Sequence, residues 1–497
     1  MERAFLLDTS CWTPDMVAAG LSRFEVAAPP LGLPGGNMES VASTFHSNDE
    51  GVASSGLGHV ILASSAGTLI EWYDFYLYAI LTVVLSGQFF PGSLATGFLF
   101  SLGALWAGFA VRPFGAAFFG HIGDLVGRKN TFLVTLSVMG LSTFAVGLLP
   151  TYKSIGLAAP VLLVVLRCLQ GLALGGEYGG AATYVAEHAP DHQRGLYTSF
   201  IQTTATLGLF AALLIVLIAR IKLGDAAFQA WGWRIPFLLS LVLVIFSLWI
   251  RVRLKESPLF TRLKREGRSS SSPIRDIGRK NWGLIALALF GATAGQAVVW
   301  YTGQFYALIF LTKTLGVNYK DAYVIIAIAL VAATPFFVLF GWLSDKIGRK
   351  PLILSGCALA ALTYWPIYHG MAAQVTRVDG KVIVNQPMMV LLIFIQVLYV
   401  TMVYGPIAAL LVELFPARIR YTSMSIPYHL GNGEFGGLTP LVATWLAAWW
   451  LVRYPGDVNA KYMGLVWPIA IATITFFVGL IWLPETKDRR IWDEFND

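Results

Sequence analysis

Five ionisable residues lie inside long apolar stretches: Glu71 and Asp74 in one, Arg112 in the next, and Arg167 and Glu177 two stretches further on. A charge in apolar surroundings must find a counter-charge, change its protonation or serve a ligand. Glu71 and Asp74 are three residues apart and share a helix face, where two carboxylates disfavour each other's ionised form, an arrangement suited to carrying a proton. Counted from the segment midpoints at 1.5 Å per residue, Glu71 and Asp74 fall within about 3 Å of mid-depth, Arg112 and Glu177 roughly 6 to 8 Å to one side, and Arg167 about 9 Å to the other. Arg167 and Glu177 are about 80° off a common helix face. The depth-matched pairs are therefore Arg112 with Glu177, and Arg167 with Asp74 or Glu71. Three acids against two bases leave one carboxylate over, and Asp74, then Glu71, is expected to bind a transferable proton; a permanent buried network of all five is the alternative. The two guanidinium groups can also grip a carboxylate through paired hydrogen bonds.

The later apolar stretches carry polar rather than charged groups. Gln296, Trp300 and Gln304 recur every four residues and line one stripe beside Tyr301 and Tyr306; Tyr404 stands alone, and Tyr428, His429, Asn432 and Glu434 cluster around Gly431 and Gly433. With Tyr73 and Gln170, most of these are candidate ligand contacts. Glycines let backbone approach a ligand or another helix closely. His429 can titrate near neutrality or serve as a packing residue, and Glu434 is read equally as functional or as a surface charge. The aromatic run Trp72, Tyr73, Phe75, Tyr76 and Tyr78 could face a quaternary ammonium, but the arginines and their acids suit a monocarboxylate or a zwitterion.

The elements that hold these groups follow from composition. Hydrophobic residues make up 56% of the 497-residue chain and charged residues 13%, with a mean hydropathy of +0.65, too few charges to cover a water-soluble globule of this size. Soluble enzymes, fibres and disordered chains are excluded for the bulk of it. Twelve stretches are long enough to cross a bilayer, near 60–87, 95–119, 130–149, 157–186, 195–219, 233–252, 283–311, 322–343, 351–372, 387–414, 422–450 and 463–483. The fold expected is an all-α polytopic membrane protein. Its parts are a disordered N-tail (1–57), a six-helix bundle (58–252), a basic linker (253–281), a second six-helix bundle (282–484) and a short C-tail (485–497).

Lys and Arg concentrate in alternate connections, which places both termini in the cytoplasm of a cell inner membrane. The net charge of +7 is then a topology signal, and no interleaving of aromatic and basic residues suggests nucleic-acid binding. The linker, with its Ser269 to Pro273 run, reads as a solvated connector. The N-tail lacks the pattern of a secretory signal, and translation is expected to begin at Met38. The cysteines Cys11, Cys168 and Cys357 have neither metal-ligand nor disulfide spacing; no cofactor or metal is expected, and the chain is expected to act as a monomer.

An internal duplication is legible. Gly120-x-x-x-Asp124-x-x-Gly127-Arg128-Lys129 returns 221 residues later with Asp345, Gly348, Arg349 and Lys350; Glu187-x-x-Pro190-x-x-x-Arg194 returns 226 residues later as Glu413, Pro416 and Arg420; Glu256-Ser257 is echoed 229 residues later by Glu485-Thr486. Six helices per half make the repeats parallel. Asp124 and Asp345 can accept from helix N-terminal amides, and Arg128 and Arg349 can reach Glu187 and Glu413; with Arg194 and Arg420 these form a candidate cytoplasmic gate.

These motifs resemble the signature loop of the major facilitator superfamily. Within it the chain is similar to the metabolite:proton symporters, which include α-ketoglutarate, shikimate, citrate and proline/betaine carriers. The similarity rests on Gly67 to Phe75, Arg112-Pro113-Phe114-Gly115, Arg167 to Gly171, Gly175-Gly176-Glu177, Gly232 to Phe237, Glu256-Ser257-Pro258 and Glu413 to Pro416, and spans about 60–487. It implies a membrane carrier, not an enzyme, driving a small polar metabolite inward with protons. Many members have Tyr-Asn where this chain has Tyr428-His429, so solute selectivity does not transfer. A drug:proton antiporter is the alternative, although 194–219 lacks the proline such exporters carry; a solute receptor of the same fold is a further one. No HExxH, GxSxG or phosphate-cradling loop is present.

Overall fold

The computed structural model describes residues 68–70, 72–92, 94–126, 128–252, 278–379 and 381–489, with isolated positions at 58, 61, 65, 261, 265, 266 and 491. The expected N-tail and most of the expected linker lie outside the described residues, as do Glu71 and the side chains of Asp124 and Arg128.

Among the described residues, ten helical spans are long and apolar enough to cross a membrane. They are α1 (Thr68–Phe89), α2 (Thr96–Gly123), α4 (Ala158–His188), α5 (Asp191–Leu223), α7 (Asn281–Thr314), α8 (Tyr319–Ile347), α9 (Arg349–Ala373), α10 (Gln386–Leu414), α11 (Ala417–Arg453) and α12 (Ala460–Trp482). Two departures occur where the sequence places the third and sixth stretches. Helix α3 (Arg128–Leu148) is a shorter apolar helix, and α6 is a bent pair, Asp225–Gly232 followed by Arg234–Trp249 at 57°. At that bend the Arg234 guanidinium donates to the carbonyls of Gly147 (2.8 Å) and Leu149 (2.7 Å), satisfying acceptors that the end of α3 leaves open.

The burial pattern is reversed from that of a water-soluble protein. Phe114, Phe118, Val242, Phe246, Leu362 and Trp482 are exposed, whereas Asp74, Arg112, Arg167, Glu177, Glu187, Arg194, Arg349, Glu413 and Arg420 are buried. Lipid takes the place of the apolar core, and the chain keeps its charges inside.

Corresponding helices of the two halves break alike. In α4, helix Ala158–Gly175 gives way to Tyr178–His188; in α10, Gln386–Tyr404 gives way to Ile407–Leu414 across Gly405 and Pro406. Segments α7 and α11 contain π-helical turns, including Leu289–Thr293, Thr302–Tyr306 and Gly431–Gly436. Such turns aim side chains away from the positions a 3.6-residue count assigns. The halves meet along two seams, α5 against α8 and α2 against α11. Within the first half, α2 and α4 cross at Gly108 and Gly171, so closely that a Cβ on Gly171 would lie 1.8 Å from the Gly108 carbonyl oxygen.

One element departs from the all-α expectation. The α9–α10 connection forms an antiparallel hairpin, β1 (Val375–Val378) and β2 (Lys381–Val384), with Val375 opposite Val384 and a left-handed turn residue, Asp379 (φ 50°). Asn385 then caps α10 by accepting from the Met388 amide (3.4 Å).

Candidate functional site: a buried cationic centre and an ion-pair lock

Helices α1, α2 and α4 bring the two buried arginines to one aromatic ring. The Arg112 guanidinium lies 4.3 Å from the Phe75 ring centre, 4.2 Å from that of Phe109 and 5.6 Å from that of Trp72. Arg167 lies 4.5 Å from both Phe75 and Tyr78. Phe75 thus contacts both cations, and π-faces do the charge-compensating work that carboxylates were expected to do.

Neither Arg112 with Glu177 nor Arg167 with Asp74 forms an ion pair, and the alternative partner Glu71 lies outside the described residues. No carboxylate comes within ion-pair distance of Arg112 or Arg167 among the described residues; the Arg112 guanidinium closes no well-aligned hydrogen bond and has the Tyr301 hydroxyl beside it. Glu177 is buried just beyond the α4 break, so counting depth along an unbroken helix misplaced it. Arg167 Nη1 donates to Gln170 Oε1 (2.6 Å), and Gln170 Nε2 donates to Thr143 Oγ1 (2.8 Å). One oxygen of Asp74 accepts from Ser240 Oγ of α6 (2.5 Å), and the Thr143 hydroxyl lies beside the carboxyl. Tyr73 points toward α6, donating to the Pro236 carbonyl (2.9 Å). Tyr73 and Gln170 therefore stand in the scaffold around Asp74 and Arg167, apart from the aromatic centre.

The second half supplies the opposite wall. The hydroxyls of Tyr76, Tyr301, Tyr404 and Tyr428 and the ring of His429 form the polar surroundings of Arg112. Tyr76 stacks against both Trp72 (5.1 Å) and Trp300 (5.3 Å), and Tyr301 packs edge-on against Phe109 (5.3 Å). Gln296 and Asn432 bond to each other through both amides (3.4 and 3.2 Å). Gln304, Trp300 Nε1 and both ring nitrogens of His429 are buried without a hydrogen-bond partner. Below them Tyr178 of α4 stacks on Tyr428 of α11 at 3.5 Å and 5°, with Tyr404 Oη 2.6 Å from Tyr428 Oη and Gln202 donating to the Tyr178 hydroxyl (2.5 Å). Tyr178 and Gln202 were not among the candidates; Tyr178 directly follows the Gly-Gly-Glu break, the one signal that could have pointed to it.

At the end where α12 stops, charges cross between the halves. Asp345 of α8 accepts from the Gly195 (2.9 Å) and Leu196 (2.8 Å) amides at the start of α5, where four backbone donors are otherwise open. Arg349 donates to Asp345 (2.6 Å) and through two nitrogens to Glu413 (2.9 and 3.2 Å). Arg194 of α5 reaches the same Glu413 (3.2 Å) and also pairs with Asp191. Arg420 of α11 lies 3.7 Å from Glu187 of α4. Tyr421 donates to the Gly176 carbonyl, again between halves. The segment after α12 joins in: Glu485 accepts from the Arg349 (2.9 Å) and Lys350 (3.1 Å) amides, Thr486 donates to Glu413 (2.7 Å), and the Arg489 carbonyl accepts from Arg194 (2.8 Å). Arg489 carried no sequence signal, whereas the Glu485-Thr486 echo did.

A polytopic helical bundle with a sealed cationic centre and a polar lock across one end is the architecture of a membrane transport protein. The sequence profile of the Major Facilitator Superfamily matches residues 64–428 and again 305–495. The chain is 35% identical over 418 residues to the inner membrane metabolite transport protein YhjE of Escherichia coli K12, covering 82% of this chain and 92% of that one. It is 35% identical over 386 residues to the alpha-ketoglutarate permease of the same organism (77% and 86%) and 31% identical over 405 residues to its shikimate transporter (80% and 89%). Among solved structures, the proton:xylose symporter XylE bound to 6-bromo-6-deoxy-D-glucose superposes with a TM-score of 0.71 at 20% identity, over 89% of this chain and 99% of that one. The chain belongs to the Major Facilitator Superfamily and is a multi-pass membrane transport protein, not an enzyme.

Proposed function

We propose that this protein is a proton-coupled symporter that takes up a small carboxylate or zwitterionic metabolite by alternating access. The observation that carries the reading is Arg112: a fully buried guanidinium held over aromatic faces, with no carboxylate paired to it among the described residues and the Tyr301 hydroxyl beside it. Buried donors without partners cost about 1–3 kcal/mol each, a cost that a carboxylate bound bidentately offsets. Trp300, Tyr301, Gln304, Tyr404, Tyr428, His429 and the Gln296–Asn432 pair complete the pocket, with Arg167 behind Phe75. Two relatives, an alpha-ketoglutarate permease and a shikimate transporter, support a carboxylate class.

Asp74 carries the proton, with Glu71 and Glu177 as further acids of the same half. It has Ser240 but no described arginine against it, so its charge is free to come and go. Gln170 and Thr143 lie between it and Arg167, which lets its protonation be felt at the solute site. The two bundles, 58–252 and 282–484, rock about the Tyr178–Tyr428 contact, both tails and the 253–281 linker face the cytoplasm, and the lock closes the cytoplasmic side. The protein acts as a monomer in the inner membrane.

The test is a thermal-shift screen of organic acids, amino acids and betaines on the purified protein, followed by uptake of the hits into proteoliposomes with and without a proton gradient. Gradient-driven accumulation that is lost in Asp74→Asn, while solute exchange persists, is the expected result. Accumulation by Asp74→Asn that still follows the gradient would refute the proton assignment, and dye efflux without solute uptake would refute the symporter.

A further inference from the structure

The centre just described leaves one intramembrane acid unused. Glu434 lies one residue from the midpoint of α11, within the π-helical turn Gly431–Gly436. That turn is pressed against α2: a Cβ on Gly433 would lie 2.7 Å from the Phe109 carbonyl oxygen, and one on Gly437 would lie 2.6 Å from the Phe109 ring. Gly436 abuts Tyr301 in the same way, so Glu434 is level with the aromatic layer around Arg112. Its side chain is half-buried at the α2–α11 seam. One turn before Phe109 on α2 stands Trp106, whose indole N–H is buried, has no closed hydrogen bond, and faces the Glu434 carboxyl.

The groups around this carboxyl do not offer it a cation. On α2, Arg112 is turned inward over Trp72, Phe75 and Phe109; on α7 the titratable neighbour is Tyr301; on α11, Tyr428 and His429 face the centre; from α12, Trp467 donates to the neighbouring Phe435 carbonyl (3.3 Å). Among the described residues no Lys, Arg or His pairs with Glu434. A half-buried carboxylate near mid-membrane depth and without a counter-ion is costly as an anion.

We infer that Glu434 is a second proton site of this transporter, held as the carboxylic acid while the α2–α11 seam is closed and ionised when the seam opens to water. The inference rests on the alternating-access reading for its place in the cycle. The balance is one proton bound from one aqueous side, forming the acid, and one released to the other as the carboxylate re-forms. A π-turn in the moving helix delivers the change of environment, since a rigid-body tilt of α11 against α2 exposes or covers this residue first.

The test needs no transported solute, so failure of the symport assignment leaves it decisive. The full-length protein in liposomes is titrated by infrared spectroscopy from acid to alkaline pH, comparing wild type, Glu434→Gln, Glu434→Asp and Trp106→Phe. At neutral pH the wild type shows a protonated-carboxyl band that Glu434→Gln loses and Glu434→Asp keeps. Removing the indole donor in Trp106→Phe shifts the midpoint of that band to higher pH, because the donor favours the charged form. In parallel, dicyclohexylcarbodiimide, which reacts with protonated carboxyls in apolar surroundings, labels Glu434 in the wild type and loses that labelling as pH rises. An unchanged carboxyl band in Glu434→Gln, an unshifted band in Trp106→Phe, or a Glu434 that stays unlabelled at every pH overturns the inference.

Discussion

Phe75 is the residue on which the two cations of the first half depend. Arg112 and Arg167 stand 4.3 and 4.5 Å from its ring, and without it two like charges would share a dry site with no described counter-ion. Arginine rather than lysine is required there, because only a planar, weakly hydrated guanidinium can stack on rings and still offer a fork of donors. Arg112→Lys is therefore expected to weaken solute binding roughly 10- to 100-fold while leaving the protein folded, measured by isothermal titration with the best ligand from the screen. An unchanged affinity would remove Arg112 from the solute site. That these residues matter was legible from charge placed in apolar sequence. Their partners were not, because Ser240, Thr143 and the rings of Phe75 and Phe109 carry no charge and so give no signal in a search for counter-ions.

Helix geometry decided where those side chains end. The break after Gly175 and the π-turns of α7 and α11 shift every later side chain off the face that regular spacing assigns, so Gln296 and Gln304, one stripe on paper, differ in kind: one bonded to Asn432, the other unpartnered. The α2–α4 crossing fixes the separation of Arg112 from Arg167. Gly171→Ala would thrust a Cβ to 1.8 Å from backbone oxygen that cannot rotate away; forcing the helices apart is expected to cost about 1–3 kcal/mol, read as a lower unfolding midpoint together with weaker solute binding. A midpoint equal to wild type would show that the crossing is slack. In the α11–α12 loop, Asp457 accepts from the Asn459 amide (2.8 Å) and the Trp450 indole (2.7 Å), bonds that hold its carboxyl below the usual aspartate range, the amide first. A depressed value means that the loop's order is fully present above the ordinary aspartate value and is lost as pH falls through the lowered one. Protection of the 454–460 amides, taken relative to their intrinsic exchange rates at each pH, is expected to hold through mildly acidic pH and to fall only below it, and Asp457→Asn is expected to abolish that fall.

Between the halves the molecule is held by few but deeply buried charges. Glu413 by itself receives Arg194, Arg349 and Thr486, so Glu413→Gln removes the anion the two guanidinium groups share and leaves Arg194 with Asp191 and Arg349 with Asp345. Breaking a buried pair costs about 3–5 kcal/mol, enough to tip a two-state equilibrium whose states differ by less. Spin labels at the exposed positions His192 and Lys346, on either side of the lock, are expected to report a short distance in the wild type and a population at longer distance in Glu413→Gln. The same distribution in both would mean that packing, not charge, closes this end. By itself the sequence determined the membrane class, an internal duplication of its motifs and the identity of nearly every buried charge, because hydropathy, repetition and the cost of charge in lipid are written residue by residue. Only the tertiary structure decided which groups meet: that Arg420 reaches Glu187 and Arg194 reaches Glu413 across the halves, that aromatic rings stand in for carboxylates, and that the segment after α12 completes the lock. Those choices depend on helix breaks and on the seating of one bundle against the other, and contacts between residues more than two hundred positions apart leave no trace in local spacing.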